Sequence, residues 1–226
     1  VGIIEKNHGG RKMKVEIYAD IVCPFCYIGK NIFAKFQEEA GEEIEVVHRS
    51  YELDPNSSRT ESMNSLEALA KKYGFTKEEA KNRMSGVEDM AKRENLPMNI
   101  FSAVGANTHD LHRLVYLARE TGKDSALLEA FYRAHFVDGI ALNEREEVLK
   151  ITVGIGLKEE EVLEVLESDR YEEKIAEDRS LASSLGITGV PFFVVDGKYG
   201  VSGAQPKAIF HQILESIKSD KKSIEL

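Results

Sequence analysis

The rhythm of hydrophobic and polar positions changes twice along the chain, from strand-like to helical and back. Val15-Glu16-Ile17-Tyr18-Ala19-Asp20-Ile21-Val22 is a short apolar run that predicts a strand. The residues after it adopt a helical period that places Phe33, Phe36 and Ala40 on one side. Glu43 to Leu53 predicts a second strand, bounded by Asp54-Pro55-Asn56.

For more than a hundred residues the period is then helical. Leu66, Leu69, Ala70 and Tyr73 share a face that stops at Gly74. Thr76-Lys77-Glu78-Glu79 has the form of a capping box, with Ala80, Met84, Val87 and Ala91 spaced behind it. Leu111, Leu114, Val115 and Ala118 form another stripe, capped by Asn107 or Thr108 and stopped at Gly122. Leu127, Leu128, Phe131, Tyr132 and His135 mark a helix that ends near Gly139; Asn143-Glu144-Arg145-Glu146 predicts the cap of the next, and Val162 to Leu166 a short acidic one.

From about Tyr171 a helix carrying Ile175, Ala176, Ala182 and Leu185 runs to Gly186. Phe192 to Val195, Asp196-Gly197 and Lys198 to Val201 predict a β-hairpin, because Asp-Gly supplies the positive φ values of a tight turn. Pro206 opens a last amphipathic helix through Ile209, Phe210, Ile213, Leu214 and Ile217. The predicted order is βαβ, a helical block, then αββα. Without the block the rest is one small α/β unit, so an all-helical insertion within an α/β domain is the economical reading.

With 42% hydrophobic and 31% charged residues in 226, the chain has an ordinary globular composition. No apolar stretch reaches the roughly 20 residues of a membrane span. A net charge of −9 without a basic stripe argues against nucleic acid as a partner. Val1 to Lys12 lacks the apolar segment of a signal peptide, so a cytoplasmic location is the default expectation.

The two cysteines, Cys23 and Cys26, are the only ones in the chain, and Cys23-Pro24-Phe25-Cys26 falls between the first strand and the first helix. A cysteine at a helix N-terminus faces free backbone N–H groups and the positive end of the helix dipole, which favour a thiolate. Cys26 lies one turn on, within reach of a mixed disulfide on Cys23. Pro24 suits the first helical position, where its missing N–H costs nothing.

This order of elements, with Cys-Pro-Phe-Cys after the first strand and Gly189-Val190-Pro191-Phe192 at the third, resembles the thioredoxin superfamily. The helical insertion is similar to that of its DsbA-like branch. Asp20 to Gly29, Asn107 to Leu114 and Gly189 to Phe193 resemble the FrnE-type members, labelled predicted dithiol–disulfide isomerases. The resemblance implies a thioredoxin-like domain over residues 13–57 and 171–220 and a helical insertion domain over 58–170. Residues 1–12 are then an N-terminal extension expected to be disordered, and 221–226 a C-terminal tail.

It also implies a thiol–disulfide oxidoreductase with no tightly bound cofactor. Cys23 would be the nucleophile and Cys26 the resolving thiol of a redox-active disulfide. The expected partners are protein or small-molecule thiols and disulfides, with glutathione as a possible co-substrate, acting on a monomer or homodimer. Pro191 is expected to be cis, leaving the backbone of Val190 free to pair with an extended substrate. Pro24 and Phe25 would border the substrate, and His112 would orient it or stabilise the thiolate. Well-studied periplasmic DsbA proteins carry histidine between the cysteines; Phe25 donates neither a hydrogen bond nor a charge, so a milder potential is expected.

Two other classes compete. Kappa-class glutathione transferases and 2-hydroxychromene-2-carboxylate isomerases share the insertion topology, but there serine commonly replaces the first cysteine. A zinc- or peptide-binding module would use His109 and His112, three apart on one helix, to complete a Cys₂His₂ set. Pro24 at a helix start suits a redox turn better, and no metal is expected.

Overall fold

The computed structural model describes residues 12–224. The extension expected over 1–12 therefore lies outside the described residues except for Lys12. β1 (Met13–Ala19) leads into α1 (Pro24–Ala40) and β2 (Ile44–Ser50). Six helices follow: α2 (Ser65–Tyr73), α3 (Lys77–Arg93), α4 (His109–Arg119), α5 (Asp124–Phe136), α6 (Arg145–Gly154) and α7 (Glu159–Glu167). A short 3-10 turn, Ile100–Ser102, separates α3 from α4. The chain returns through α8 (Glu172–Ser184), β3 (Phe192–Val195), β4 (Tyr199–Ser202) and α9 (Lys207–Ile224). The last helix thus runs into the stretch read as a tail from 221.

The strands form one sheet in the order β2-β1-β3-β4. β1 runs parallel to β2, from Met13 opposite Ile44 to Ala19 opposite Ser50, and antiparallel to β3, from Val15 opposite Val195 to Tyr18 opposite Phe192. This is the mixed α/β, thioredoxin-like architecture with a helical insertion. Alternation along the strands assigns the two faces. Val15 and Ile17 of β1, with Phe193 and Val195 of β3, join the main core, where Phe33 and Phe36 of α1 meet Phe193 and Phe210. Tyr18 and Val194 point the other way and pack with Ala182 of α8 and Ile187.

Local signals explain most element ends. Thr76 and Glu79 make both reciprocal bonds of the capping box on α3. Gly41 and Gly74 take the left-handed conformation that stops α1 and α2. Asp196 and Gly197 both have positive φ in the hairpin turn, and the Asp196 carboxylate also accepts the Lys14 N–H at 2.8 Å. Asn143 departs from expectation. It does not cap α6; its amide reaches the Glu61 carbonyl at 2.9 Å while its oxygen accepts the Asn107 N–H at 2.9 Å. Asn107 in turn accepts the N–H of His109, the first residue of α4, at 3.1 Å, while Thr108 at the N-cap makes no side-chain capping bond. Tyr73, on the apolar stripe of α2, and Leu185, at the end of α8, are exposed.

On the α8 side a buried polar network joins helix to sheet. Asp178 is fully buried and accepts from Arg49 Nη1 at 3.0 Å, the Ser50 N–H at 2.7 Å and the Tyr116 hydroxyl at 2.5 Å. Arg49 also donates to Glu16 at 2.9 Å. Each donor aimed at the buried carboxylate offsets the cost of removing it from water.

Candidate functional site

β1 ends at Ala19, and a tight turn closed by the Cys23 N–H on the Asp20 carbonyl (3.2 Å) delivers Cys23 to the N-cap of α1. Its φ of −92° and ψ of 112° are those of an extended cap residue, and Pro24 occupies the first helical turn, as the sequence predicts. The Cys26 and Tyr27 N–H groups bond the Cys23 carbonyl, so the second cysteine sits one turn further along the helix. Both are free thiols, Cys23 4% and Cys26 1% exposed.

The Cys26 thiol is pushed well above its ordinary value. Burial is the main cause, and the hydrogen bond and charge interaction with Cys23 add to it. The backbone of Asp20 lowers it and the Asp20 charge raises it. The sulfur of Cys23 lies 3.6 Å from the Val190 carbonyl oxygen. The Val190–Pro191 peptide bond is cis. The loop is held from two sides: Gly203 donates to the Pro191 carbonyl at 2.8 Å, and Pro191 lies against α1 where Gly29 has no side chain. A Cβ on Gly29 would stand 3.0 Å from Pro191 Cγ. Phe25 is 40% exposed beside the pair. The structure therefore brings together Cys23, Pro24, Phe25, Cys26, Val190 and Pro191.

His112 is placed differently from what its expected role suggests. It is buried, and its Nε2 faces Asp20 Oδ1 at 3.3 Å rather than open space beside Cys23. It therefore meets the site through Asp20. Asp20 itself, which sequence reading passed over, is fully buried. Its second carboxylate oxygen accepts the Leu53 N–H at 2.7 Å, and its carbonyl accepts the Tyr132 hydroxyl at 3.3 Å. Tyr132, stacked on Tyr27, is pushed well above its ordinary value mainly by burial, so it acts there as a donor. A polar residue inside an otherwise apolar strand-to-helix junction was the available signal for Asp20. Nothing local marked Tyr132, which the helical period assigns to the core.

His109 faces two carboxylates. Its Nδ1 is 2.9 Å from Glu52 Oε1 and its Nε2 2.9 Å from Glu172. The two histidines of α4 are thus engaged separately, and among the described residues no three His, Cys, Asp or Glu side chains converge as a metal set.

Comparison with known proteins agrees with this geometry. A solved structure of a probable DsbA oxidoreductase from Streptomyces coelicolor is 42% identical, covering 90% of this chain and 89% of that one, with a TM-score of 0.84. The cytosolic disulfide reductase DsbM from Pseudomonas aeruginosa shares the fold at 18% identity, covering 89% of this chain and 98% of its own, with a TM-score of 0.63. The uncharacterized protein YwbO of Bacillus subtilis is 24% identical over 92% of this chain and 98% of its own length. The family model for the DSBA-like thioredoxin domain matches residues 14–215, and the chain belongs to that family.

Proposed function

We propose that the protein exchanges disulfides with protein or small-thiol partners through Cys23 and Cys26, without a tightly bound cofactor. The observation that carries this is the asymmetry of the pair. Cys23 caps the helix beside the Val190 carbonyl, whereas Cys26 lies deeper, with a thiol that burial keeps protonated.

In the reducing direction, the Cys23 thiolate attacks a substrate disulfide, forming a mixed disulfide and releasing one substrate thiolate. Cys26 then loses its proton and attacks the Cys23 sulfur. The second substrate thiolate leaves, the protein dithiol is oxidised to the Cys23–Cys26 disulfide, and its two electrons are carried off by the two substrate thiolates. A deep, protonated second thiol suits this order, because it becomes the attacker only once the first is engaged.

Substrate would lie along Val190 and Pro191, with exposed Phe25 and Leu53 as an apolar rim and Pro24 fixing the cap between them. We place the protein with the FrnE-type members on the quoted motifs and expect it in the cytoplasm; among the described residues no helix is long and apolar enough to cross a membrane. Glutathione is a reasonable small-thiol partner, since DsbM, of the same fold, has a structure with GSH. The glutathione-dependent isomerase reading shares this fold but assigns no task to the buried second sulfur.

The test uses two variants and mass spectrometry. Cys23→Ser should abolish disulfide reduction, and Cys26→Ser should accumulate a covalent adduct with oxidised glutathione or a peptide disulfide. Full reductase activity in either variant would overturn the mechanism.

A further inference from the structure

The bridge on His109 carries a consequence for chemistry some residues away. Carboxylate oxygens only accept hydrogen bonds, and a neutral imidazole has a single N–H. Both ring nitrogens of His109 stand 2.9 Å from a carboxylate oxygen, so both bonds exist together only when the ring is an imidazolium. The bridge joins three segments: Glu52 just after β2, the first turn of α4, and Glu172 at the start of α8.

Its neighbours are connected to the dithiol. Leu53, next to Glu52, donates its N–H to one oxygen of Asp20, and His112, one turn beyond His109, meets the other. Asp20 is the buried carboxylate whose charge opposes ionisation of Cys26. With both oxygens engaged, less of that charge bears on the sulfur.

The other charged groups around His109 are accounted for. Arg179 of α8 donates to the second oxygen of Glu52 at 2.6 Å, and Arg113 of α4 approaches Glu172 at 3.5 Å. Asp110 is paired with Arg113 at 2.9 Å and Arg59 at 3.5 Å. On α5, His135, whose charged neighbour is Asp20, is kept neutral by burial, down to about 4. Arg113 also ties the carbonyls of Ser168 and Arg170 beyond α7.

We propose that His109 is a positioning residue for the resolving step: as an imidazolium it clamps Glu52 to Glu172, and so holds Leu53 and His112 on Asp20 beneath Cys26. When the ring loses its proton, one carboxylate faces a lone pair, that side of the bridge opens, and Asp20 loses part of its hold. The two bonded carboxylates, Glu52 first, raise the proton affinity of His109 above its ordinary value against the opposing effect of burial, so the loss comes above pH 6.5. This rests on the dithiol mechanism above.

The test is two-phase stopped-flow reaction of the reduced protein with the chromogenic aryl disulfide dithiobis(nitrobenzoate), from about pH 6 to about pH 9. The first coloured thiolate reports attack by Cys23. The second reports attack by Cys26 on the mixed disulfide, with the aryl thiolate leaving and the Cys26 proton going to solvent. Taking the ratio of wild-type to His109→Gln second-phase rates removes the pH dependence the two proteins share and leaves the difference the clamp makes. The ratio should be roughly three- to tenfold at the acidic end and fall towards one at the alkaline end.

Glu172→Gln should act in the opposite sense. Its amide donates to the neutral ring, so the second phase should stay fast at alkaline pH and exceed the wild-type rate there. A pH-independent ratio for His109→Gln, or slowing by Glu172→Gln equal to that by His109→Gln, would overturn the clamp. Release of only one equivalent by the wild-type protein would overturn the dithiol mechanism itself, and the clamp's role with it.

Discussion

Replacing Asp178 with alanine tests how far one buried carboxylate holds the α/β unit together. The buried Ser50 N–H would lose its acceptor at 2.7 Å and the buried Tyr116 hydroxyl its acceptor at 2.5 Å. Each orphaned donor costs about 1–3 kcal/mol. Arg49 would lose the bond from Nη1, but its side chain is 19% exposed and keeps Glu16, so its share is discounted. The expected loss is about 3–5 kcal/mol, in the range for breaking a buried pair by removing one partner.

In urea this appears as a lower midpoint with an unchanged slope. For a chain of this length the melting temperature should fall by about 6–20 °C. Tyr116→Phe alone should cost about 1 kcal/mol, because Asp178 keeps two donors. The double variant should cost about 1–2 kcal/mol less than the sum of the singles, since no hydroxyl is then left orphaned. Strict additivity, or a loss below about 1 kcal/mol for Asp178→Ala, would refute the network as described.

Gly29→Ala sets two effects against each other: alanine favours the helix by about 1 kcal/mol, but its Cβ, 3.0 Å from buried Pro191, overpacks at about 1–3 kcal/mol. Overpacking should win, so the variant should be less stable in urea and slower to form the mixed disulfide at Cys23; a more stable, fully active variant would show that the loop yields freely. Global stability should also follow the His109–Glu52 pair. Glu52 is held down to about 2 by His109 and Arg179 despite its burial, so its contribution is present above its ordinary 4.5 and lost as pH falls towards about 2. His109 is raised from 6.5, so its contribution is present below 6.5 and lost as pH rises through the folded value. Urea midpoints should therefore peak between those ordinary values, and His109→Gln should flatten the alkaline limb; an unchanged alkaline limb in that variant would contradict the pairing.

Local chemistry made much of this protein legible in its residues. The strand before Cys23, the proline that opens α1, the capping box at Thr76 and the Asp-Gly hairpin each depend on neighbours within a few positions, so hydrophobic period and turn residues suffice to place them. The placement of Cys23 at a helix N-cap with Cys26 one turn on follows in the same way. Tertiary structure alone decided what surrounds that pair. Asp20 meets His112 across 92 positions and Tyr132 across 112, and His109 finds Glu52 and Glu172 at separations of 57 and 63. Asp178 and Ser50 stand 128 apart in the chain. A lone aspartate or histidine carries no periodic signature, and its partner is chosen by how the insertion and the sheet close on each other. Burial then turns an ordinary polar side chain into a costly group that must be matched, and no window of neighbouring residues contains the match.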